Sequence, residues 1–320
     1  MEYLYVVGFI MSFLLAFVTM PKVIAFLHKI KFSQSEREEG LASHQVKTGT
    51  PTMGGIVFLV VPLLVCGLLN PHMFGDVHSL LVIFAFVGYG LIGFIDDFII
   101  VVKKHNDGLS AKVKFFLQSF LAILFFFVYM QFADTSLWIP IADVEIAIGP
   151  LYFFVVFIMF TGESNAVNLT DGLDGLCAGT MLIALVPFIA FSFHEGQENI
   201  TLLLLTISGS LLSYLWFNKH PARIFMGDTG SLALGGLLAA VAMVLHKELL
   251  LLVIGGLFLV ETISVALQVM SYKTRKKRIF KMAPIHHHFE MCGMSETQVV
   301  FMFYGIGIIC AVLGYILGVM

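Results

Sequence analysis

Two adjacent carboxylates, Asp96 and Asp97, stand at the edge of an apolar stretch in Gly93-Phe94-Ile95-Asp96-Asp97-Phe98. Like charges this close repel, so the pair implies a cation or a proton demand that keeps it there; the plainer alternative is a solvated helix end. A second polar segment reads Asn165-Ala-Val-Asn168-Leu-Thr-Asp171-Gly-Leu-Asp174-Gly175. Its amides and carboxylates recur every third residue, a spacing that lines one side of a helical turn. Two Asp-Gly turns would be the bland account of it. A third segment carries Asn218 and then Phe225-Met226-Gly227-Asp228-Thr229-Gly230-Ser231, leading straight into an apolar run. Glycines and hydroxyls at a helix start leave backbone N–H groups free for an anion, and Asp228 there is either an N-cap or a metal ligand. The fourth is Pro284-Ile285-His286-His287-His288-Phe289-Glu290, after the basic run Arg275-Lys276-Lys277-Arg278. Three consecutive histidines without a cysteine make a poor zinc site, whereas imidazoles donating to phosphate or sugar oxygens fit the pattern. A basic run by itself is ordinary for a segment facing lipid headgroups. Taken together, carboxylates and amides favour a hard, oxygen-preferring cation, Mg²⁺ above all. Such a cation surrounded by Lys, Arg and His is the equipment of phosphoryl transfer.

The elements that must position these residues are helices in a membrane. Of 320 residues, 59% are hydrophobic and 12% charged, too little polar surface for a soluble domain of this length. Ten apolar stretches lie near 3–20, 51–69, 79–95, 115–133, 146–161, 175–193, 200–217, 229–246, 249–271 and 297–320. Helices are the spanning form that satisfies each backbone group within its own segment. The first stretch has Glu2 ahead of it, no preceding basic residue and no small-residue cleavage site, so it reads as a span and not a signal peptide.

Net charge is −3, but the distribution is informative: seventeen of the 18 Lys and Arg lie in or beside the odd-numbered connections, 22–50, 96–114, 162–174, 218–228 and 272–296, leaving Lys247 on the other side. The positive-inside rule puts those connections in the cytoplasm and both termini outside. Every polar segment above falls in an odd-numbered connection, so all can converge on one cytoplasmic cleft. Residues 134–148 alternate apolar and polar around Asp143 and predict a small hairpin on the outer side. Cys66, Cys177, Cys292 and Cys310 offer no pair to an oxidising compartment, so no disulfide is expected. The expected architecture is all-α, one polytopic domain over 1–320 with about ten transmembrane helices.

Lys47-Thr-Gly-Thr-Pro51-Thr-Met-Gly-Gly55, the Asp96-Asp97 pair, Asn165–Gly175, Phe225–Ser231 and Pro284–Glu290 resemble, in this order, the phospho-N-acetylmuramoyl-pentapeptide-transferase family. The resemblance covers essentially the whole chain and implies a bacterial plasma-membrane enzyme of ten helices, usually a homodimer, requiring Mg²⁺. Its substrates would be UDP-MurNAc-pentapeptide and undecaprenyl phosphate, with UMP leaving and lipid I formed for peptidoglycan. The family's residues carry over as Asp228 for the Mg²⁺ ligand and Asp96 for activation of the lipid phosphate, with Asp97 beside it and His286 in the catalytic set. Asn168, Asp171, Asp174, Asn218, Phe225 and Gln268 match positions lining the nucleotide pocket, where Phe225 would stack on uracil. His287 and His288 join His286 as sugar-phosphate and diphosphate contacts, and Lys47, Lys104 and Lys112 are further substrate-binding candidates. The sequence departs at Ile100, where many members carry Lys, so that lysine's role passes to the later ones. No nucleic-acid partner is expected. The alternatives are a relative that moves another N-acetylhexosamine-1-phosphate and, from a different class, a transporter whose path would use Glu261. Polar residues gathered at one face instead of the midplane argue against transport.

Overall fold

The computed structural model describes residues 2–30, 49–103 and 108–320; Lys47 and Lys104 lie outside them. Each expected apolar stretch is helical, and the architecture is that of a multi-pass, all-α membrane protein. Among the described residues, eight helices are long and apolar enough to cross a membrane: α1 (Glu2–Lys29), α3 (Val77–Lys103), α4 (Ala111–Tyr129), α5 (Tyr152–Thr170), α6 (Leu176–His194), α7 (Glu198–Asn218), α8 (Gly227–Val244) and α12 (Glu296–Val319). The pair α9 (Glu248–Ile254) and α10 (Gly256–Arg275), bent by 78° at the break between them, is together apolar enough for one more span. The remaining apolar stretch forms α2 (Gly55–Leu69), whose 15 residues reach about 22 Å at 1.5 Å per residue. A short helix α11 (Ile285–Met291) precedes α12. The hairpin expected near Asp143 is present as antiparallel β1 (Ser136–Ile139) and β2 (Val144–Ala147).

Helix α8 is the hub, with 89% of its most apolar window buried, against 22% in α4. Its composition explains this: between helices in lipid there is little hydrophobic drive, so close backbone approach through small residues takes over. Gly230 faces Gly55 and Phe58 of α2, Gly235 faces the backbone of Ser164 in α5, and Gly236 lies on the Tyr89 ring of α3. Around this hub, α1 packs on α7 with Gly209 against the Phe9 backbone.

Two boundaries differ from the hydropathy reading, and both matter for the site. Helix α3 does not end at Asp96-Asp97; it continues to Lys103, and both carboxylates are 3% exposed, so they are interior residues and not a solvated helix end. Likewise α5 runs past residue 161 to Thr170. Three of its polar residues bond back to their own helix: Thr161 and Ser164 donate to the carbonyls of Phe157 and Phe160, and Asn165 Nδ2 donates to Thr161 O at 2.7 Å.

Four of the odd-numbered connections and the Pro51–Gly55 segment that follows the first are tied together at one end of the bundle. Phe225 N donates to Pro51 O and Gly54 N to Phe225 O, both at 2.8 Å. Asp97 receives the start of α8, Asn168 reaches Asp228, Asp174 reaches both His220 and Glu296, and His286 lies against Gly172. The opposite end is closed by different contacts: Asn70 Nδ2 donates to Asn199 Oδ1 at 2.8 Å, Lys247 pairs with Glu195 at 3.0 Å, and the Lys247 ammonium sits 4.4 Å from the Trp138 ring centroid.

Candidate active site

The acidic cluster is built where α3 crosses the start of α8. Asp97 acts as a cap delivered from another helix: its Oδ1 accepts from Asp228 N at 3.1 Å, and its Oδ2 accepts from Thr229 N at 2.9 Å and Thr229 Oγ1 at 2.6 Å. A carboxylate on the free N–H groups of a helix start is favoured by hydrogen bonding and by the helix dipole. Gly227 makes the approach possible. Its φ of +70° suits glycine, and a Cβ there would collide with the Asp97 carboxylate. Because Asp97 does the capping, Asp228 is left to point elsewhere; it stands inside the first turn of α8, not at the N-cap position. Its Oδ1 accepts from Asn168 Nδ2 at 2.7 Å, and its Oδ2 meets Lys114 Nζ at 2.5 Å. Lys114 also reaches Asp96 Oδ2 at 3.2 Å, while Asp96 Oδ1 accepts from Leu109 N at 2.7 Å.

Oxygen atoms of Asp96, Asp97 and Asp228 all lie within 4.8 Å of one another. With these three and Lys114 ionised, the partly buried cluster carries two net negative charges, an arrangement unfavourable without a further cation. The ligand set is all oxygen, which suits a hard divalent ion.

The fifth connection supplies the next layer. Asp171 caps the end of α5, its N–H donating to Asn168 O at 3.2 Å. Asp174 is buried, and its Oδ2 accepts from Ala222 N at 2.9 Å. Asn218, at the end of α7, braces the same turn: Oδ1 accepts from Gly175 N at 3.0 Å, and Nδ2 donates to Ile224 O at 2.9 Å. Phe225 is half-buried beside Asp228. Lys112 is exposed, two residues before the acidic cluster's Lys114.

In the ninth connection the three histidines have three different partners. His286 is fully buried, with Nδ1 3.0 Å from Glu261 Oε1, while Glu261 Oε2 accepts from Ile285 N at 2.9 Å. His286 Nε2 has no protein partner and is aimed at Gly172, where any Cβ would overlap the ring. His287 Nδ1 is 2.8 Å from Glu290 Oε2. His288 Nδ1 accepts from Lys281 N at 3.1 Å, which puts the proton of the neutral ring on Nε2. Gln268 is spent on the loop, accepting from Ile279 N and Phe280 N and donating to Phe280 O. It also borders a cavity of about 580 Å³ lined by Tyr272, Lys273 and Arg278.

The structure therefore brings Asp96, Asp97, Asp228 and Asn168 into one cluster and puts Asp174, Asn218 and His286 in contact with the neighbouring turn. Residue-by-residue reading missed Lys114, Glu261 and Glu296. Lys114 had a signal: a cation in the first turn of a helix opposes the dipole, so its position implies an acidic partner. Glu261, an isolated carboxylate in an apolar run, signalled a buried partner without naming it.

The glycosyl transferase family 4 model matches residues 79–246, and the phospho-N-acetylmuramoyl-pentapeptide-transferase signature 1 matches residues 47–59. A phospho-N-acetylmuramoyl-pentapeptide-transferase from Geobacillus sp. (strain WCH70) is 48% identical over 317 residues, 98% of each chain. Those from Bacillus anthracis (strain A0248) and Bacillus thuringiensis (strain Al Hakam) are each 50% identical over 312 residues, 96% of each chain. With identity at this level along nearly the whole length and the signature segment in place, the chain belongs to the phospho-N-acetylmuramoyl-pentapeptide-transferases of glycosyl transferase family 4.

Proposed function

We propose that the chain transfers phospho-MurNAc-pentapeptide from UDP-MurNAc-pentapeptide to undecaprenyl phosphate, releasing UMP and forming lipid I, at the cytoplasmic face of the bacterial plasma membrane. The observation that carries this reading is the buried, oxygen-only cluster of Asp96, Asp97 and Asp228 bridged by Lys114. In the reaction an oxygen of the lipid phosphate bonds to the sugar-linked phosphorus, and the bond to the UMP oxygen breaks. One diphosphate link is lost and one gained, so positioning and charge neutralisation are the main tasks. Mg²⁺ fits the cluster by charge and donor type, with Asp228 and its carboxylate neighbours as holders; when bound it would neutralise diphosphate charge. In this reading Asp96 would take a proton from the attacking phosphate. Lys114, released from its carboxylates, offers an ammonium to phosphate oxygens. Asp97 holds the start of α8 so that Asp228 keeps its aim, and His286, oriented by Glu261, turns Nε2 toward the 171–175 turn. The same Glu261 contact removes the one feature favouring a transport path, since the carboxylate is occupied in holding α11.

Phe225 tests the nucleotide end. If it stacks on uracil, Phe225→Ala should weaken binding of a uridine ligand by about 1–3 kcal/mol in titration calorimetry, and Phe225→Trp should retain most of it. A loss of thermal stability with unchanged affinity would make it an interfacial anchor instead.

Orientation has a native probe. Cys292 is exposed at the basic end of the bundle. If the positive-inside assignment holds, with both termini outside, a membrane-impermeant maleimide should leave Cys292 unlabelled in intact cells and label it once the membrane is opened. Labelling in intact cells would reverse the topology.

A further inference from the structure

Three side chains from three separate connections meet beside the 171–175 turn. His220 Nδ1 lies 3.2 Å from Asp174 Oδ2 and 3.4 Å from Glu296 Oε2. Glu296 Oε1 in turn accepts from Asp174 N at 2.7 Å. Neither carboxylate has a hydrogen to offer, so Nδ1 carries it and serves both. Without that donor the two carboxylates would face each other and repel. Glu296 is stable where it stands because it occupies the first turn of α12, beyond the Ser295 capping box, where a negative charge is favoured. The side chains of Asp174 and Glu296 are 1% and 11% exposed, against 46% for His220, so the imidazole closes the pair from the solvent side. Asn218 already fixes the floor of the turn through Gly175 N.

We propose that His220 and Glu296 are positioning residues for donor-substrate binding, holding Asp174 in one orientation at the nucleotide end of the cleft. The inference rests on reading Asp174 as a nucleotide-pocket residue. It deepens that reading by joining the last helix and the seventh connection to recognition of the uridine diphosphate end. A half-exposed pair of this kind adds little to folding stability. Its value lies in fixing, together with the Ala222 N–H that reaches the same oxygen, the orientation in which Asp174 meets the substrate. The brace shares no residue with the Asp96–Asp97–Asp228 cluster, so it should act on substrate binding and not on turnover.

The experiment is steady-state kinetics of the full-length protein with varied UDP-MurNAc-pentapeptide. His220→Ala and Glu296→Ala should each raise KM about tenfold and leave kcat within about twofold, the pattern of lost ground-state binding. His220→Asn should restore most of the affinity, because its amide nitrogen superimposes on Nδ1 and can donate to the same carboxylates. The double variant should be no worse than the single ones, since both break one network. A melting temperature near wild type should accompany the KM effect, which separates positioning from unfolding. Asp174→Asn is the control on the underlying reading: unchanged KM there removes the nucleotide pocket itself and the inference with it. A raised KM for Asp174→Asn with normal KM for His220→Ala would overturn the brace alone. The same three residues could hold an ion; if a Zn²⁺-selective chelator, added with Mg²⁺ kept saturating, raises KM as His220→Ala does and Zn²⁺ reverses it, the cluster is a metal site and the hydrogen-bonded brace is wrong.

Discussion

Asp228→Asn should reduce turnover by on the order of 10²-fold or more while leaving the apparent melting temperature in chelator equal to or above that of the wild type. The sign of the stability effect follows from the charges. Three carboxylates lie together with one ammonium, which pairs with Asp96 and Asp228, in a largely desolvated place, so neutralising one of those two relieves repulsion when no divalent ion is present. Asp96→Asn should behave in the same way. Asp97→Asn should differ: each of its two oxygens accepts from a backbone N–H fixed at the start of α8, Asp228 N or Thr229 N, so an amide NH₂ at either place faces a donor that cannot swing aside as the Lys114 side chain can. That variant should lose both turnover and stability, by about 1–3 kcal/mol for a buried donor left unpaired. Added Mg²⁺ should raise the melting temperature of the wild type, as any ligand of the folded state does, and should do so far less for Asp228→Asn. Equal Mg²⁺-dependent stabilisation in both proteins would show that Asp228 does not hold the ion.

The second large effect comes from a residue with no functional group. Gly93 packs so tightly on the start of α8 that a Cβ would overlap the carbonyl of Asp228 and the amide of Thr229. These are backbone atoms and cannot swing aside as a side chain can. Gly93→Ala must therefore push α3 off α8, at a cost of about 1–3 kcal/mol for overpacking. It also moves Asp96 and Asp97 relative to Asp228, and a displacement of about 1 Å at a reacting centre lowers rates by about 10²-fold. Gly162→Ala is the matched control: it is also a helical glycine, but no atom outside its own helix lies within 4 Å of the added Cβ. That change should be neutral or slightly stabilising by helix propensity. Thermal denaturation and turnover measured on the pair decide the point, and a harmless Gly93→Ala would contradict the close α3–α8 crossing.

Much of this arrangement was legible from residue types. Apolar length set the number of helices, because backbone in lipid has no alternative partner. The one-sided distribution of Lys and Arg correctly grouped the odd-numbered connections, which the hydrogen bonds between Pro51, Asp97, Asn168, Asp174 and Glu296 join. What hydropathy misplaced were helix ends that carry polar residues. It stopped α3 at Asp96 because a carboxylate in lipid is costly, yet these carboxylates face the N-terminus of α8 instead of lipid. It stopped α5 before Asn165 because amides read as loop, yet Asn165 returns a hydrogen bond to Thr161 within the helix. Pairings across the bundle were harder still. Nothing local to Glu261 says that its partner is His286, 25 residues later and beyond a bend, or that Lys114 and not Lys112 reaches Asp228. Such contacts depend on the rotation of each helix about its axis, which is set by packing at residues such as Gly93 and Gly236.

The central claim is that Asp96, Asp97 and Asp228 form a cation-dependent phosphoryl-transfer centre fed by a nucleotide-linked donor and a lipid phosphate. Purified protein in detergent, given UDP-MurNAc-pentapeptide, undecaprenyl phosphate and Mg²⁺, should release UMP in step with lipid product. Release should stop when either substrate is withheld or the metal is chelated, and it should return with Mg²⁺ better than with Zn²⁺. UMP release that persists in chelator, or that survives intact in Asp228→Asn, would contradict the account.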